Sequence, residues 1–257
     1  MAATAGLALA AGLCLGRGPR WAGRVGLIVG MALLMTWVWL MRHPAIAVQM
    51  MPVSLLSRIE GTGATPFFLL IVGVAWGQSQ LARQRRLATL AMVLGMIYFL
   101  HGGLWLLQST PSVGFAQTVS SQQSVMQSQD YSCVAAACAT ALNTLGFEAT
   151  EAQMAQLTNT RPGTGATMIR AMAGLTRRLA KTDYRVTLLD TDYAGLMKLP
   201  MPALTPLQYE ATRQHMVTLL EIKPDTVVLA DPMGGVYGLP RPEFEASFIG
   251  QVLVFAR

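Results

Sequence analysis

The chain has 257 residues, of which 53% are hydrophobic and 12% are charged, and its net charge is +6. A soluble globular domain carries about 25% charged residues, so this composition excludes a wholly soluble chain and predicts that part of it lies in lipid. Glu60 is the only acidic residue before Asp130, whereas acidic residues are frequent after it. This shift in composition predicts two regions that face different solvents.

Four apolar stretches occupy the first region, at residues 2–15, 25–41, 66–76 and 87–107. A membrane-spanning helix needs about 20 mostly apolar residues, with a range of about 17 to 25. The second and fourth stretches satisfy this length, the third is plausible and the first is marginal. We therefore predict an all-α transmembrane region with three to four helices over residues 1–108, in contact with the lipid bilayer.

Arginines precede the second and fourth of these stretches, and the positive-inside rule places such clusters in the cytoplasm. The two clusters are Arg17, Arg20 and Arg24, and Arg83, Arg85 and Arg86. The fourth span then runs outward, and the loop between the second and third stretches, which holds Arg42 and Arg58, would lie outside. We expect an integral protein of a bacterial inner or plasma membrane with an extracytoplasmic second region. Arginines in this position are not a phosphate-binding face, so no nucleic-acid partner is expected.

Residues 109–124 are rich in Ser, Thr, Gln, Pro and Gly, and we interpret them as a linker. A helix is predicted to begin at Cys133, because an alanine-rich run follows it, Ser132 is a good N-cap residue and Gly146 provides a C-terminal stop. A thiol in a first helical turn lies at the positive end of the helix dipole, which favours the thiolate. Cys133 is therefore a candidate nucleophile, whereas Cys138 lies deeper in the helix as a core residue.

Further helices are expected over residues 150–157 and 167–179, and strands over 184–189, 215–222, 226–230 and 251–255. Helices followed by an antiparallel sheet predict an α+β domain over residues 125–257. His215 opens one strand and Asp231 ends the next, with a hairpin between them. The hairpin brings the imidazole and the carboxylate close together. A cysteine nucleophile needs such a pair: the imidazole acts as the base, and the carboxylate accepts a hydrogen bond that orients the imidazole ring.

No Cys-x-x-Cys pair or Cys/His cluster with zinc spacing is present, so no metal site and no cofactor are expected. Cys133 and Cys138 are five positions apart, and on one helix these two residues are too far apart to form a disulfide.

Several of these features together resemble the bacteriocin-processing, double-glycine leader cysteine peptidases. They are Gln127 and Cys133 with the alanine-rich helix, His215-Met-Val-Thr-Leu-Leu, Val228-Leu-Ala-Asp231-Pro232 and Phe244 to Gly250. The resemblance covers about residues 123 to 257 and implies a papain-like fold. It also implies that Cys133, His215 and Asp231 are catalytic, and that Gln127 donates to an oxyanion hole beside the Cys133 main-chain N–H. An amide aimed at the developing oxyanion suits this chemistry.

Two positions depart from the family pattern: Val134 replaces the usual glycine and Ser132 the usual acidic residue. Members of the family are often fused to an exporter, but no Gly-x-x-x-x-Gly-Lys-Ser/Thr loop occurs in this chain.

The sequence thus predicts a membrane-anchored cysteine peptidase that cuts a peptide or protein substrate after small, Gly-Gly-like residues. Its export transporter would be a separate partner protein. The alternatives are a peptide-binding module of the same fold that assists export or sensing, and an acyl transferase that uses the same three residues.

Overall fold

The computed structural model describes residues 2–107, 118–119, 124–210 and 213–257. The chain divides into two compact units, one of residues 1–51 and 55–108 and one of residues 52–54 and 109–257. Most of the segment interpreted as a linker, residues 109–124, lies outside the described residues.

The first unit is helical, and four of its helices fall on the four apolar stretches. Two short helices between the second and third stretches were not predicted, and the first of them begins at Pro44, where a missing N–H costs nothing. Within the described part of the chain, the second helix is the one long and apolar enough to cross a membrane. The helices are α1 (Ala2–Arg17), α2 (Arg20–Arg42), α3 (Pro44–Met50), α4 (Val53–Ile59), α5 (Thr65–Gln78) and α6 (Ala82–Leu107).

Helices α1 and α5 pack backbone against backbone through two pairs of glycines, Gly12 with Gly73 and Gly16 with Gly77. A Cβ atom added to Gly12 would lie 2.4 Å from the Leu70 carbonyl oxygen, and one added to Gly77 would lie 2.8 Å from the Gly16 Cα. Gly12 and Gly16 are spaced Gly-x-x-x-Gly along α1, as Gly73 and Gly77 are along α5, and this spacing places both glycines of a helix on one face. This spacing is typical of helix contacts in membranes, where small residues let two backbones approach closely.

This contact predicts opposite outcomes for two glycines of the same helix. Gly12→Ala should lower the midpoint of thermal unfolding, because the added methyl group forces apart two closely packed backbones at a cost of about 1–3 kcal/mol. Gly6→Ala is the matched control, since no atom lies within 4 Å of its added Cβ. The helical circular dichroism of the purified chain in detergent measures both changes. Equal midpoints for the two variants would contradict the contact.

The second unit has the predicted α+β order, helices first and an antiparallel sheet after them. Its helices are α7 (Cys133–Thr144), α8 (Glu151–Leu157), α9 (Met168–Arg178), α10 (Tyr193–Leu196) and α11 (Arg241–Ser247). Its strands are β1 (Thr118–Val119), β2 (Val125–Met126), β3 (Arg185–Asp190), β4 (Ala203–Glu210), β5 (Arg213–Ile222), β6 (Thr226–Asp231), β7 (Gly235–Pro240) and β8 (Gln251–Ala256).

The sheet holds six antiparallel strands in the order β3-β8-β4-β5-β6-β7, and β1 pairs separately with β2. Strands β4 and β7 were not predicted. Strand β4 contains Pro206, which argues against a central strand in sequence, and β7 contains two glycines and ends in Pro240. Both strands form because they pair with β5 and β6, contacts that a local pattern does not reveal.

Helix α7 lies inside the unit, and every residue from Val134 to Leu142 is buried. Small side chains allow this burial, and two polar threonines bond the helix to its surroundings. The Thr218 hydroxyl of β5 donates to the Ala137 carbonyl at 2.9 Å, and the Val125 N–H of β2 donates to the Thr140 hydroxyl at 2.9 Å. These contacts fix the middle of α7 relative to β5 and β2.

Candidate active site

Cys133 is the first residue of α7, as predicted, but the predicted capping role of Ser132 is wrong. The Ser132 side chain makes no capping hydrogen bond with the helix. Its hydroxyl instead donates to the Gln129 carbonyl at 2.9 Å and accepts from the Gln129 N–H at 3.1 Å. This closes a tight turn before the helix, so the Ser132 hydroxyl leaves the first-turn N–H groups uncapped. One of them, the Val134 N–H, is directed at the Cys133 sulfur.

The Cys133 thiol is partly buried and lies against the start of β5. Burial by itself raises the pKa of this thiol, because it removes water from the thiolate. Hydrogen bonds from the His215 side chain and from the Met216 main-chain N–H act in the opposite direction, and the net pKa of Cys133 is lowered. The site therefore favours the thiolate, the form that attacks carbonyl carbon.

His215 and Asp231 form a close pair, with 2.7 Å between His215 Nε2 and Asp231 Oδ1. Successive side chains of a strand alternate between the two faces of a sheet. His215 therefore shares a face with Val217 in β5, and Asp231 shares a face with Leu229 in β6. Burial lowers the pKa of His215, but the bonds to Asp231 and Cys133 outweigh burial and raise it to about 9. Because Nε2 is bonded to Asp231, the other ring nitrogen, Nδ1, is the one available to the sulfur.

Two further groups hold the Asp231 carboxylate, and sequence reasoning found neither. The Met233 N–H donates to Oδ1 at 2.7 Å, and the Tyr237 hydroxyl donates to Oδ2 at 3.2 Å. Burial raises the pKa of Asp231, but the bonds from His215, Met233 and Tyr237 lower it overall. Burial and the carboxylate raise the pKa of Tyr237 to about 12, which keeps its hydroxyl a donor. A tyrosine in β7 could have been found only by predicting that strand.

Gln127 lies in the segment between β2 and α7, and its main chain is tied to the turn after Asp231. Its N–H donates to the Pro232 carbonyl at 2.9 Å, while the next N–H, of Ser128, donates to Glu151 Oε1 at 2.9 Å. Within the described parts of the chain, the buried Gln127 Oε1 has no hydrogen-bond partner. The segment that carries Gln127 is thus held by the turn after β6 and by α8.

Two residues of the β4–β5 hairpin add contacts that the sequence did not indicate. The Tyr209 ring lies 6.0 Å from the His215 ring, centroid to centroid, and an Arg213 guanidinium nitrogen donates to the Asp130 carbonyl at 3.0 Å. The Arg213 contact ties the start of β5 to the turn before Cys133. Cys138, by contrast, is fully buried, and burial raises the pKa of its thiol. Its surroundings suit a core residue.

These contacts place a thiol that favours its thiolate beside an imidazole that favours its protonated form. The carboxylate of Asp231 orients the imidazole and stabilises its positive charge. Such a set of groups can supply a nucleophile and a proton donor to an acyl group.

Comparison with known proteins identifies the second unit. Residues 121–257 match the Peptidase C39 family. An uncharacterized protein of Methanothermobacter thermautotrophicus is 34% identical over 134 residues, which are 52% of this chain and 87% of that protein. A second uncharacterized protein, from Methanothermobacter marburgensis, is 31% identical over the same shares of both chains.

Two solved structures are similar at lower identity. One is a double glycine motif protease from an AMS/PCAT transporter in complex with the leader peptide, at 20% identity and a TM-score of 0.45. This match covers 55% of this chain and 97% of that protein. The other is the peptidase domain of Streptococcus ComA, at 18% identity and a TM-score of 0.45, which covers 51% of this chain and 95% of that one. The match over residues 121–257 confirms the family resemblance and the papain-like α+β fold: the chain belongs to the Peptidase C39 family.

Proposed function

We propose that this chain is a membrane-anchored cysteine peptidase in which Cys133 is the nucleophile, His215 the acid and base, and Asp231 the group that orients His215. The observation that carries the proposal is the continuous set of hydrogen bonds from Asp231 through His215 to Cys133, with 2.7 Å between His215 and Asp231. Family membership supports the reaction class, and the perturbed pKa values support the roles.

The reaction proceeds in two steps. The Cys133 thiolate attacks the carbonyl carbon of the scissile peptide, and a carbon–sulfur bond forms. As the carbon–nitrogen bond breaks, the His215 imidazolium gives its proton to the leaving amine. Water then attacks the thioester, neutral His215 accepts a proton from that water, and the freed sulfur leaves as the thiolate. Asp231 stays ionised throughout and holds the imidazole in one tautomer.

We assign Gln127 to the oxyanion hole together with the Cys133 main-chain N–H. The assignment is supported by the segment that holds Gln127, which is bonded to Pro232 on one side and, through Ser128, to Glu151 on the other. These bonds fix the main chain that carries the amide, and a donor held near its place needs little rearrangement when negative charge develops on the substrate oxygen. The uncapped N–H groups at the start of α7 serve the same charge.

We propose that the substrate is an extended leader peptide cut after two small residues of the Gly-Gly type, delivered to or from a separate export transporter. This part of the proposal is supported by the sequence motifs around Gln127, Cys133, His215 and Asp231 that resemble the double-glycine peptidases. Two departures from the family pattern, Val134 and Ser132, border the oxyanion region and bear on which small residues are accepted.

We further propose that the helical unit anchors the peptidase domain of residues 125–257 in the membrane through a linker. The length and apolar character of Arg20–Arg42 support a membrane span. The arginines at and just before the N-terminal ends of α2 and α6 support an extracytoplasmic peptidase domain. A topology reporter fused after Arg257 should therefore be active outside the cytoplasm, and activity confined to the cytoplasm would contradict this orientation.

Cys133→Ala should abolish cleavage while the fold is retained, because alanine is a good helix former but carries no nucleophile. The proposal is tested by mass spectrometry of protein N-termini in cells that carry the parent chain or a variant. N-termini that follow Gly-Gly should be lost with Cys133→Ala and kept with Cys138→Ala, the matched control in the same helix. Equal loss from both substitutions, with both proteins folded, would show that the nucleophile is misassigned.

Gln127→Ala should slow turnover by roughly 100- to 1,000-fold, the usual cost of losing one oxyanion donor. Alkylation of Cys133 by iodoacetamide should change little, because the thiolate depends on His215 and on main-chain N–H groups rather than on Gln127. Turnover at the parent rate would rule out an oxyanion role. Loss of alkylation and turnover together would instead mean that the substitution damages the nucleophile.

A further inference from the structure

Six of the eight arginines in the first unit lie at helix ends that meet at one place. Helix α1 ends at Arg17, α2 begins at Arg20, α5 ends at Gln78 and α6 begins at Ala82. The Gln78 side chain reaches the Arg20 carbonyl at 3.5 Å, so the start of α2 lies beside the end of α5. The six are Arg17, Arg20, Arg24, Arg83, Arg85 and Arg86.

Trp76 of α5 holds two of these arginines together. The guanidinium carbons of Arg17 and Arg85, from two different helices, each lie 5.6 Å from the centre of the Trp76 ring. The ring is fixed, because its Nε1–H donates to the Thr89 hydroxyl at 3.2 Å. Arg85 is fixed as well, since its Nε–H donates to the Ser79 carbonyl at 2.9 Å. Two positive charges are thus held around one aromatic ring.

No carboxylate of this unit can neutralise those charges. Glu60 is the only acidic residue among residues 1–107. It directly precedes Gly61, whose carbonyl accepts a hydrogen bond from the Tyr98 hydroxyl at 3.1 Å. Tyr98 lies thirteen residues beyond Arg85 in α6, which is about 20 Å along a helix. The acidic residue is therefore near the opposite end of the helices, and an external anion can bind the arginine end without competition from a carboxylate of this unit.

The surroundings of these arginines are apolar and exposed, which indicates the kind of anion. Trp21 is 68% exposed, Val25 50%, Leu87 59% and Leu90 55%, and all four lie within a few residues of an arginine in α2 or α6. Basic groups interleaved with exposed aromatic and aliphatic groups are typical of the boundary between lipid tails and headgroups. A guanidinium matches a phosphate in two parallel hydrogen bonds.

We propose that Arg17, Trp76 and Arg85 form a binding site for the phosphodiester headgroup of an anionic phospholipid. The arginines bind the phosphate oxygens, and Trp76 spaces the two guanidinium groups and packs against the upper part of the acyl chains. This inference rests on the membrane anchoring proposed above, and it adds a preference for one class of lipid. It is independent of the chemistry at Cys133.

The test compares lipids retained by the full chain after purification in a non-ionic detergent. The chain is incubated with equal amounts of phosphatidylglycerol and phosphatidylcholine that have the same acyl chains, and native mass spectrometry measures the ratio of the two bound lipids. The double variant Arg17→Gln/Arg85→Gln is compared with Arg42→Gln/Arg58→Gln. The control loses the same charge, from arginines outside the six-arginine group.

The parent chain should retain phosphatidylglycerol in preference to phosphatidylcholine. At about fivefold per arginine, Arg17→Gln/Arg85→Gln should reduce this preference by roughly 25-fold, whereas the control variant should keep the parent ratio. An equal loss of the lipid preference in both variants would show that the preference depends only on net charge, and this would overturn the site. Displacement of the lipid by inorganic phosphate at constant ionic strength would assign the site to free phosphate and overturn it as well.

Carbonate extraction of membranes separates this inference from the proposed anchoring. A parent chain that washes out with carbonate would overturn the anchoring and the lipid site together. A chain that resists carbonate but retains both lipids equally would overturn the lipid site alone. Neither result depends on cleavage after Gly-Gly, which is measured separately.

Discussion

The hydrogen bond between His215 Nε2 and Asp231 Oδ1, at 2.7 Å, is the interaction on which the rest of the site depends. It fixes the imidazole by one nitrogen and leaves the other for the Cys133 sulfur. It also stabilises the imidazolium, which in turn favours the thiolate. The sheet supplies this bond, because antiparallel pairing of β5 with β6 brings the start of one strand beside the end of the next, with both side chains on one face.

The carboxylate itself needs support, because a buried charge without partners is strongly destabilising. Asp231 receives hydrogen bonds on both oxygens, from His215 and Met233 on one and from Tyr237 on the other. The main chain after Asp231 then accepts the Gln127 N–H through Pro232. The turn between β6 and β7 therefore orients His215 and also holds the segment that precedes Cys133, so changes in this turn affect both halves of the site.

The sequence was sufficient where the signal is local. The alanine-rich run after Cys133 predicts a helix, and the hairpin predicts that His215 and Asp231 are neighbours, and both features are present in the structure. The sequence was insufficient where contacts between residues distant in the chain determine the structure. Ser132 has the residue type of a cap, but the geometry of the Gln129 turn engages its hydroxyl. Tyr237 could not be found, because it lies in a strand that the sequence does not predict. The pairing of Gly12 with Gly73 could not be found, because it joins two helices that are far apart in the sequence. The catalytic roles of the four site residues stay predictions.

We propose that His215 keeps Cys133 as a thiolate. The most direct measurement is the rate of Cys133 alkylation by iodoacetamide as a function of pH, followed by mass spectrometry of the modified peptide, in the parent chain and in His215→Ala. We expect a midpoint in the parent chain below the ordinary thiol pKa of 9.0, and a higher midpoint in the variant. The same midpoint in both proteins, with the fold intact, would contradict it.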